Sequence, residues 1–191
     1  SMETDPTRTI NDYLAEHRGV TLTQAEAMNT QVTAMAAEEG LEYNLANAKV
    51  ANSFKAHILA HYAKQFGKMD EVEELLFRNY FTDNKNIDDI EVLKAIAIEA
   101  ELDVNGFIAK LVSGELDDEV KMDMHEARQI GVKGVPFFVY DRKYGVSGAQ
   151  PLELFEQTLT KAFEEWQQSG GTIELQNNAD ESSCHIDGNC N

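Results

Sequence analysis

Thiols are nearly absent from this 191-residue chain: its two cysteines, Cys184 and Cys190, both fall in the last eight residues. A core built from the residues before them holds neither a disulfide nor a thiol. That scarcity fits a reducing compartment, and a cytoplasmic location is expected. Basic charge is also short, with 16 Lys and Arg against 34 Asp and Glu and a net charge of −18. Such a surface repels phosphate, so nucleic acid is excluded as a partner and anionic membranes are disfavoured. No apolar run approaches the roughly 18 residues of a membrane span. No charged, apolar and small-residue series opens the chain, so no signal peptide is expected. Internal repeats are lacking, and strand patterns are few. Ser1-Met2 reads as a cloning scar or a late start.

What the chain does have is helix signals. Its 42% apolar share is enough for a packed core. Asp5-Pro6 offers an N-cap and a first-turn proline, with Gly19 to close that helix. Thr23 and Glu26 have capping-box spacing before a helix ending at Gly40. Asn52 can cap "SFKAHILAHYAKQFG", where Phe54, Ile58, Tyr62 and Phe66 share a face. Asp70 with Glu73, Asp88 with Glu91, and Asp103 open three more, and a further helix runs to Gly131.

At Gly131 the period changes. "PFFVY" is strand-like, "DRK" is turn-like, and "YGVSG" can return as the partner strand. Pro151 then stands at the first position of an amphipathic helix carrying Leu152, Phe155, Leu159, Ala162, Phe163 and Trp166. After Trp166 the sequence turns polar, as a mobile tail does. A two-stranded hairpin is marginal alone, and its apolar face needs a sheet that no other convincing strand here supplies.

The whole unit of glycine, Val135-Pro136, short apolar strand, tight turn, second strand, "SGAQP" and amphipathic helix is specific. "GVKGVPFFVYDRKYGVSGAQPLELF" closely resembles the C-terminal thioredoxin-fold half of DsbA-like proteins of the FrnE type, a group related to 2-hydroxychromene-2-carboxylate isomerases and kappa-class glutathione transferases. "EEGLEYN", "ANSFKAHILAHYA" and "LLFRNYFTDNKNIDDIEVL" resemble the helical insertion of the same family, so the likeness runs from about Asp5 to Trp166. The resemblance implies a mainly α chain with a small β-hairpin. Its parts are residues 1–4 as tag or linker, 5–130 as helical insertion domain, 131–168 as the C-terminal β-β-α of an incomplete thioredoxin fold, and 169–191 as an acidic and polar tail.

The family activity is thiol–disulfide oxidoreduction or isomerisation, carried by a Cys-x-x-Cys pair at a helix N-terminus, where the dipole favours the thiolate. This chain has no Cys-x-x-Cys. It begins about where the unit carrying that pair would end, so the chain is expected to be a fragment without the catalytic nucleophile. The alternative is a helical protein-binding module without chemistry.

The resemblance further implies a cis bond at Val135-Pro136, with the Val135 backbone pairing to a substrate peptide. It places Asn52 and His57 at a substrate cleft, although Asn52 also reads simply as a helix cap. Ser147, Gly148 and Gln150 align with a segment that contacts glutathione in relatives. Those relatives carry an acidic residue where this chain has Ala149-Gln150, which makes glutathione doubtful. Partners are therefore a thiol- or disulfide-bearing protein or small molecule, with self-association through the uncovered hairpin or last helix. No cofactor is expected.

Cys184 and Cys190 admit three readings: an auxiliary redox pair, two ligands of a weak metal site with His185, or incidental thiols. His57 and His61 stand at i, i+4, a spacing that can hold metal, but they lack the His-Glu-x-x-His pattern. No metal is expected at either place.

Overall fold

A computed structural model describes residues 3–170, and Cys184, Cys190 and the rest of the polar tail lie outside the described residues. The chain divides into two compact units, one ending at Ala127 and one starting at Arg128. No helix among the described residues is long and apolar enough to cross a membrane.

The first unit starts with strand β1 (Asp5–Thr9), not with the helix that Asp5-Pro6 suggests. Asp5 does use its side chain as a cap would, accepting from the Thr7 backbone N–H at 3.0 Å and from the Thr7 hydroxyl at 2.6 Å. Those bonds close a local turn within an irregular strand. Its register shifts between Asp5, opposite Val50, and Thr9, opposite Lys49 in β2 (Lys49–Val50). The fold therefore has two antiparallel strand pairs among the described residues, where the sequence suggests one hairpin.

Helix α1 (Ile10–Arg18) is started by Thr9, whose hydroxyl takes the Asp12 N–H while the Asp12 carboxylate takes the Thr9 N–H at 2.9 Å. Gly19 ends it at φ 66°, in the left-handed region that glycine tolerates. Helix α2 (Leu22–Glu38) opens with the same device two residues earlier than Thr23 and Glu26 suggest, using Thr21 and Gln24. The chain then makes a short 3-10 turn (Leu45–Asn47) into β2.

Helix α3 (Phe54–Lys64) is the centre of this unit. Ala56 and every residue from Ile58 to Ala63 are buried. A single apolar face was expected; instead the helix is covered on most sides, and Phe66 beyond its end is exposed. Helices α4 (Met69–Phe77), α5 (Ile90–Glu99) and α6 (Val104–Ser113) pack around it. Phe107, Leu59, Leu93, Ile96 and Val72 fill the core.

Asp89, not Asp88, caps α5, and Asp103 caps α6 as its spacing suggests. Between α4 and α5 the backbone runs through a π-helical turn (Arg78–Thr82) that carries Tyr80. Gly106 in α6 has a steric reason. A Cβ there would lie 2.4 Å from the hydroxyl of Tyr62, which donates to the Asp103 carbonyl at 3.1 Å. Helix α7 (Asp117–Gln129) closes the unit and carries the chain past Ala127.

The second unit holds β3 (Phe137–Tyr140) and β4 (Tyr144–Ser147), antiparallel with Phe137 opposite Ser147. Helix α8 (Leu152–Gln168) follows, with Pro151 at its N-cap and not inside its first turn. The hairpin turn puts Asp141 and Arg142 at φ 49° and 53°, and Lys143 N–H donates to the Tyr140 carbonyl at 3.0 Å. That geometry matches strand twist but asks a left-handed conformation of two non-glycine residues. Helix and hairpin meet through Phe138 against Phe155, edge to face at 4.9 Å, and Val146 of β4 and Ala162 of α8 are both buried. Leu152, Leu159 and Phe163 stay exposed.

Truncating Phe107 to Ala is expected to cost about 3–5 kcal/mol, because the void sits where packed neighbours cannot collapse; urea unfolding checks it. At α1, hydrogen bonds from Thr9 hold the Asp12 carboxyl below the ordinary aspartate range. A depressed folded-state pKa stabilises above the unfolded value, and that contribution is lost as pH falls through the lowered one. In an NMR titration of Asp12, Thr9→Ala is expected to move the midpoint upward.

Candidate functional site

The substrate-contact residues expected from the sequence fall in both units. In the second, the Val135–Pro136 peptide bond is cis and leads into β3. Val135 is 89% exposed. The Pro136 carbonyl accepts from the Gly148 N–H at 2.8 Å, one step beyond the last strand pair. Gly148 sits at φ 83°, and Gln150 folds back so that its Nε2 donates to the Ser147 carbonyl at 2.9 Å. Pro136, Ser147, Gly148 and Gln150 thus form one corner at the end of the hairpin, with Val135 displayed beside it.

The hairpin under this corner is pinned by several contacts. The Tyr144 hydroxyl donates to Glu165 Oε1 at 2.5 Å, and this bond, with burial, raises the phenol above its ordinary pKa. Lys161 Nζ stands 4.8 Å from the centroid of the Tyr144 ring. Phe137 lies over Gly145, where an added Cβ would come within 2.9 Å of its ring. Among the described residues β3 has one strand neighbour, β4, so its other edge is open there. An open edge beside an exposed loop can take an extended peptide through backbone pairing.

In the first unit, Asn52 precedes α3. Ser53 holds the N-cap position without a side-chain bond, and Asn52 Oδ1 accepts from the Phe54 N–H at 2.9 Å instead. The Asn52 N–H donates to Thr4 Oγ1 at 2.8 Å, and that hydroxyl donates to Asp88 Oδ2 at 2.6 Å. Lys55 Nζ completes the network with Asp88 Oδ1 at 3.0 Å and the Asp88 carbonyl at 3.0 Å. Asp88 was expected to cap a helix; its neighbour does so, which leaves Asp88 free to tie the start of the chain to α3. The paired acids Asp88-Asp89 were the one sequence signal for this.

The two histidines of α3 part company. His57 is exposed, and its side chain is on the helix surface. His61 is buried, with Nδ1 3.0 Å from Glu119 Oε2 and Nε2 2.9 Å from Asp123 Oδ2. Glu119 and Asp123 are themselves i, i+4 on α7, so one imidazole fastens one face of α7 to α3. That spacing was visible in the sequence, but the partner across the fold was not. Among the described residues no group of three or more His, Cys, Asp or Glu could hold a metal ion.

Asn52→Ala is expected to destabilise by about 1 kcal/mol through the lost bond at the helix start, read by thermal unfolding. Gly145→Ala is expected to displace the Phe137 ring and lower stability by about 1–2 kcal/mol, with the Phe137 ring resonances shifted.

The comparisons with known proteins agree with this architecture. Residues 5–160 match the DSBA-like thioredoxin domain. A crystal structure of a probable DsbA oxidoreductase from Streptomyces coelicolor superposes with a TM-score of 0.75 at 36% sequence identity, covering 96% of this chain and 76% of that one. The uncharacterized protein YwbO of Bacillus subtilis is 26% identical over 136 residues, 69% of this chain and 66% of YwbO. The chain thus spans just under two thirds of the length of that curated relative. The match over most of its length shows that the chain belongs to the DSBA-like thioredoxin domain family.

Proposed function

We propose that this chain serves a thiol–disulfide oxidoreductase of the FrnE type, as the part that holds a disulfide-bearing substrate. The observation that carries the reading is the corner of Pro136, Ser147, Gly148 and Gln150 with Val135 beside it, within a chain of the DSBA-like family. The substrate lies extended along the free edge of β3, and the exposed Val135 backbone and side chain meet it first.

The chemistry is exchange. A thiolate attacks one sulfur of the substrate disulfide, a mixed disulfide forms, and the other substrate sulfur leaves as thiolate. A second thiol then attacks the mixed disulfide and releases the reduced substrate, leaving an enzyme disulfide. The nucleophilic pair belongs to a segment of the protein outside this sequence. Cys184 and Cys190, the two thiols in this sequence, form an auxiliary pair. Asn52 and His57 are substrate contacts within the first unit, with Asn52 held rigid by Phe54, Thr4 and Asp88.

Two measurements test this. In an insulin-reduction assay, any dithiol activity of this chain is expected to vanish in the variant carrying both Cys184→Ser and Cys190→Ser. Activity that survives without a thiol would sink the exchange reading. In hydrogen exchange, an extended peptide with an internal disulfide is expected to protect the amides of β3. Val135→Glu should weaken that protection about tenfold. Protection confined to the first unit would show instead a helical binding module.

A further inference from the structure

A cavity of about 500 Å³ lies in the first unit, between the end of α4, the π-helical turn and the segment that follows α2. Disulfide exchange makes no use of it. Its volume falls in the range of small-molecule sites. Leu41, Tyr43, Phe77 and Phe81 give it a largely apolar wall with three aromatic rings. Leu41 is 52% exposed and Phe77 54%. Large apolar side chains grouped at one cavity mark a binding surface, unlike ones scattered singly.

The rings are set in advance. Tyr43 stacks on Phe81 with centroids 4.8 Å apart and planes at 14°, and Phe77 lies 6.2 Å from Phe81. The backbone behind them is tied twice. The Asn44 N–H donates to the Phe81 carbonyl at 2.7 Å, and the Thr82 hydroxyl donates to the Glu42 carbonyl at 2.5 Å. A wall that is ordered before the ligand arrives lowers the cost of binding.

Charge decides the class of ligand. Arg78, Glu42 and Glu74 are the charged residues among the described lining. Arg78 is already answered, because its Nη2 donates to both oxygens of Glu99, at 2.8 and 2.7 Å. Glu42 and Glu74 have no side-chain hydrogen bond or ion pair among the described residues. Two uncompensated carboxylates thus stand beside three rings. Carboxylates and ring faces both attract positive charge, and the same carboxylates repel an anion. Among the described residues no three His, Cys, Asp or Glu converge as metal ligands do, so the charge that fits is an organic one.

We propose that this cavity binds a free organic cation, an aryl- or alkylammonium. Its apolar body rests on Leu41 and Phe77, and its charged head faces Glu42 and Glu74.

The test is an NMR titration of the full chain with benzyltrimethylammonium chloride at fixed ionic strength, with benzyl alcohol as the uncharged comparison. Saturable shifts are expected at the ring protons of Tyr43, Phe77 and Phe81, with the ammonium binding about tenfold or more tighter than the alcohol. The double variant Glu42→Gln with Glu74→Gln, at two exposed positions, is expected to weaken the ammonium about tenfold. Glu153→Gln with Glu156→Gln on α8 removes the same charge elsewhere and should leave the affinity unchanged. Shifts that do not saturate, equal binding of the alcohol, or an equal loss in the two double variants would overturn the proposal. The last of these would show only diffuse attraction to an acidic chain. None of these readouts involves a thiol, so they stand apart from the exchange assay.

Discussion

The near-complete burial of α3 is the constraint on which the first unit rests. A helix buried on one face can tilt or slide, whereas one covered by α4, α5 and α6 has its position set. Its small residues make this workable: Ala56, Ala60 and Ala63 let neighbouring backbones approach, and Ile58, Leu59 and Tyr62 fill the space between. Two polar groups in that buried stretch are both answered: the Tyr62 hydroxyl by the Asp103 carbonyl and the His61 imidazole by two carboxylates of α7. The geometry of Asn52 follows from the same helix. Its side chain is bound to the first turn of α3, and its backbone to Thr4 and through it to Asp88. A residue expected to touch substrate is thereby held by a frame that does not need substrate to form.

The second unit is organised by turns more than by a core. Val146 and Ala162 are its buried apolar residues among the described ones, while Leu152, Leu159 and Phe163 stay exposed. What gives the hairpin a definite register is local: the turn at Asp141 and Arg142, the Phe137 ring over Gly145, and the bond from Gly148 to the Pro136 carbonyl. Each of these depends on one residue type at one place. Gly145 leaves room for an aromatic ring, and Gly148 supplies a left-handed backbone. The corner on which the proposed substrate contact rests is therefore set by backbone chemistry next to it.

This division explains what was legible in the sequence. Hairpin, turn and final helix were readable because their signals are local: Gly134-Val135-Pro136, a β-rich run, a polar turn, then apolar residues at helical spacing. Helix existence was readable for the same reason. Helix starts were less so, because Thr, Asp and Asn cluster near several of them and the competing caps differ by one or two residues, as with Thr21 against Thr23 and Asp89 against Asp88. The strand β1 was hidden because Asp5-Pro6 is an equally good helix start; pairing with Lys49 and Val50 some forty residues on decides the matter. The all-round burial of α3 was hidden too, since Ala and His carry no sign of which side will be covered.

Three polar residues buried or half-buried in the first unit show how hydrogen bonds within the fold account for polar groups inside it. Asn52 uses its carbonyl on the Phe54 N–H and its backbone on Thr4, so helix capping already accounts for its presence. His61 has a partner for each ring nitrogen, and its presence is accounted for by the fastening of α7. Asn11 accepts from the Asn29 amide, and none of its polar atoms is both buried and without a partner. The bond joins α1 to α2 and accounts for its presence in the seam between them. A buried polar group is retained where its hydrogen bonds are completed, and in each of these three a bond to a second element or to the helix start does that.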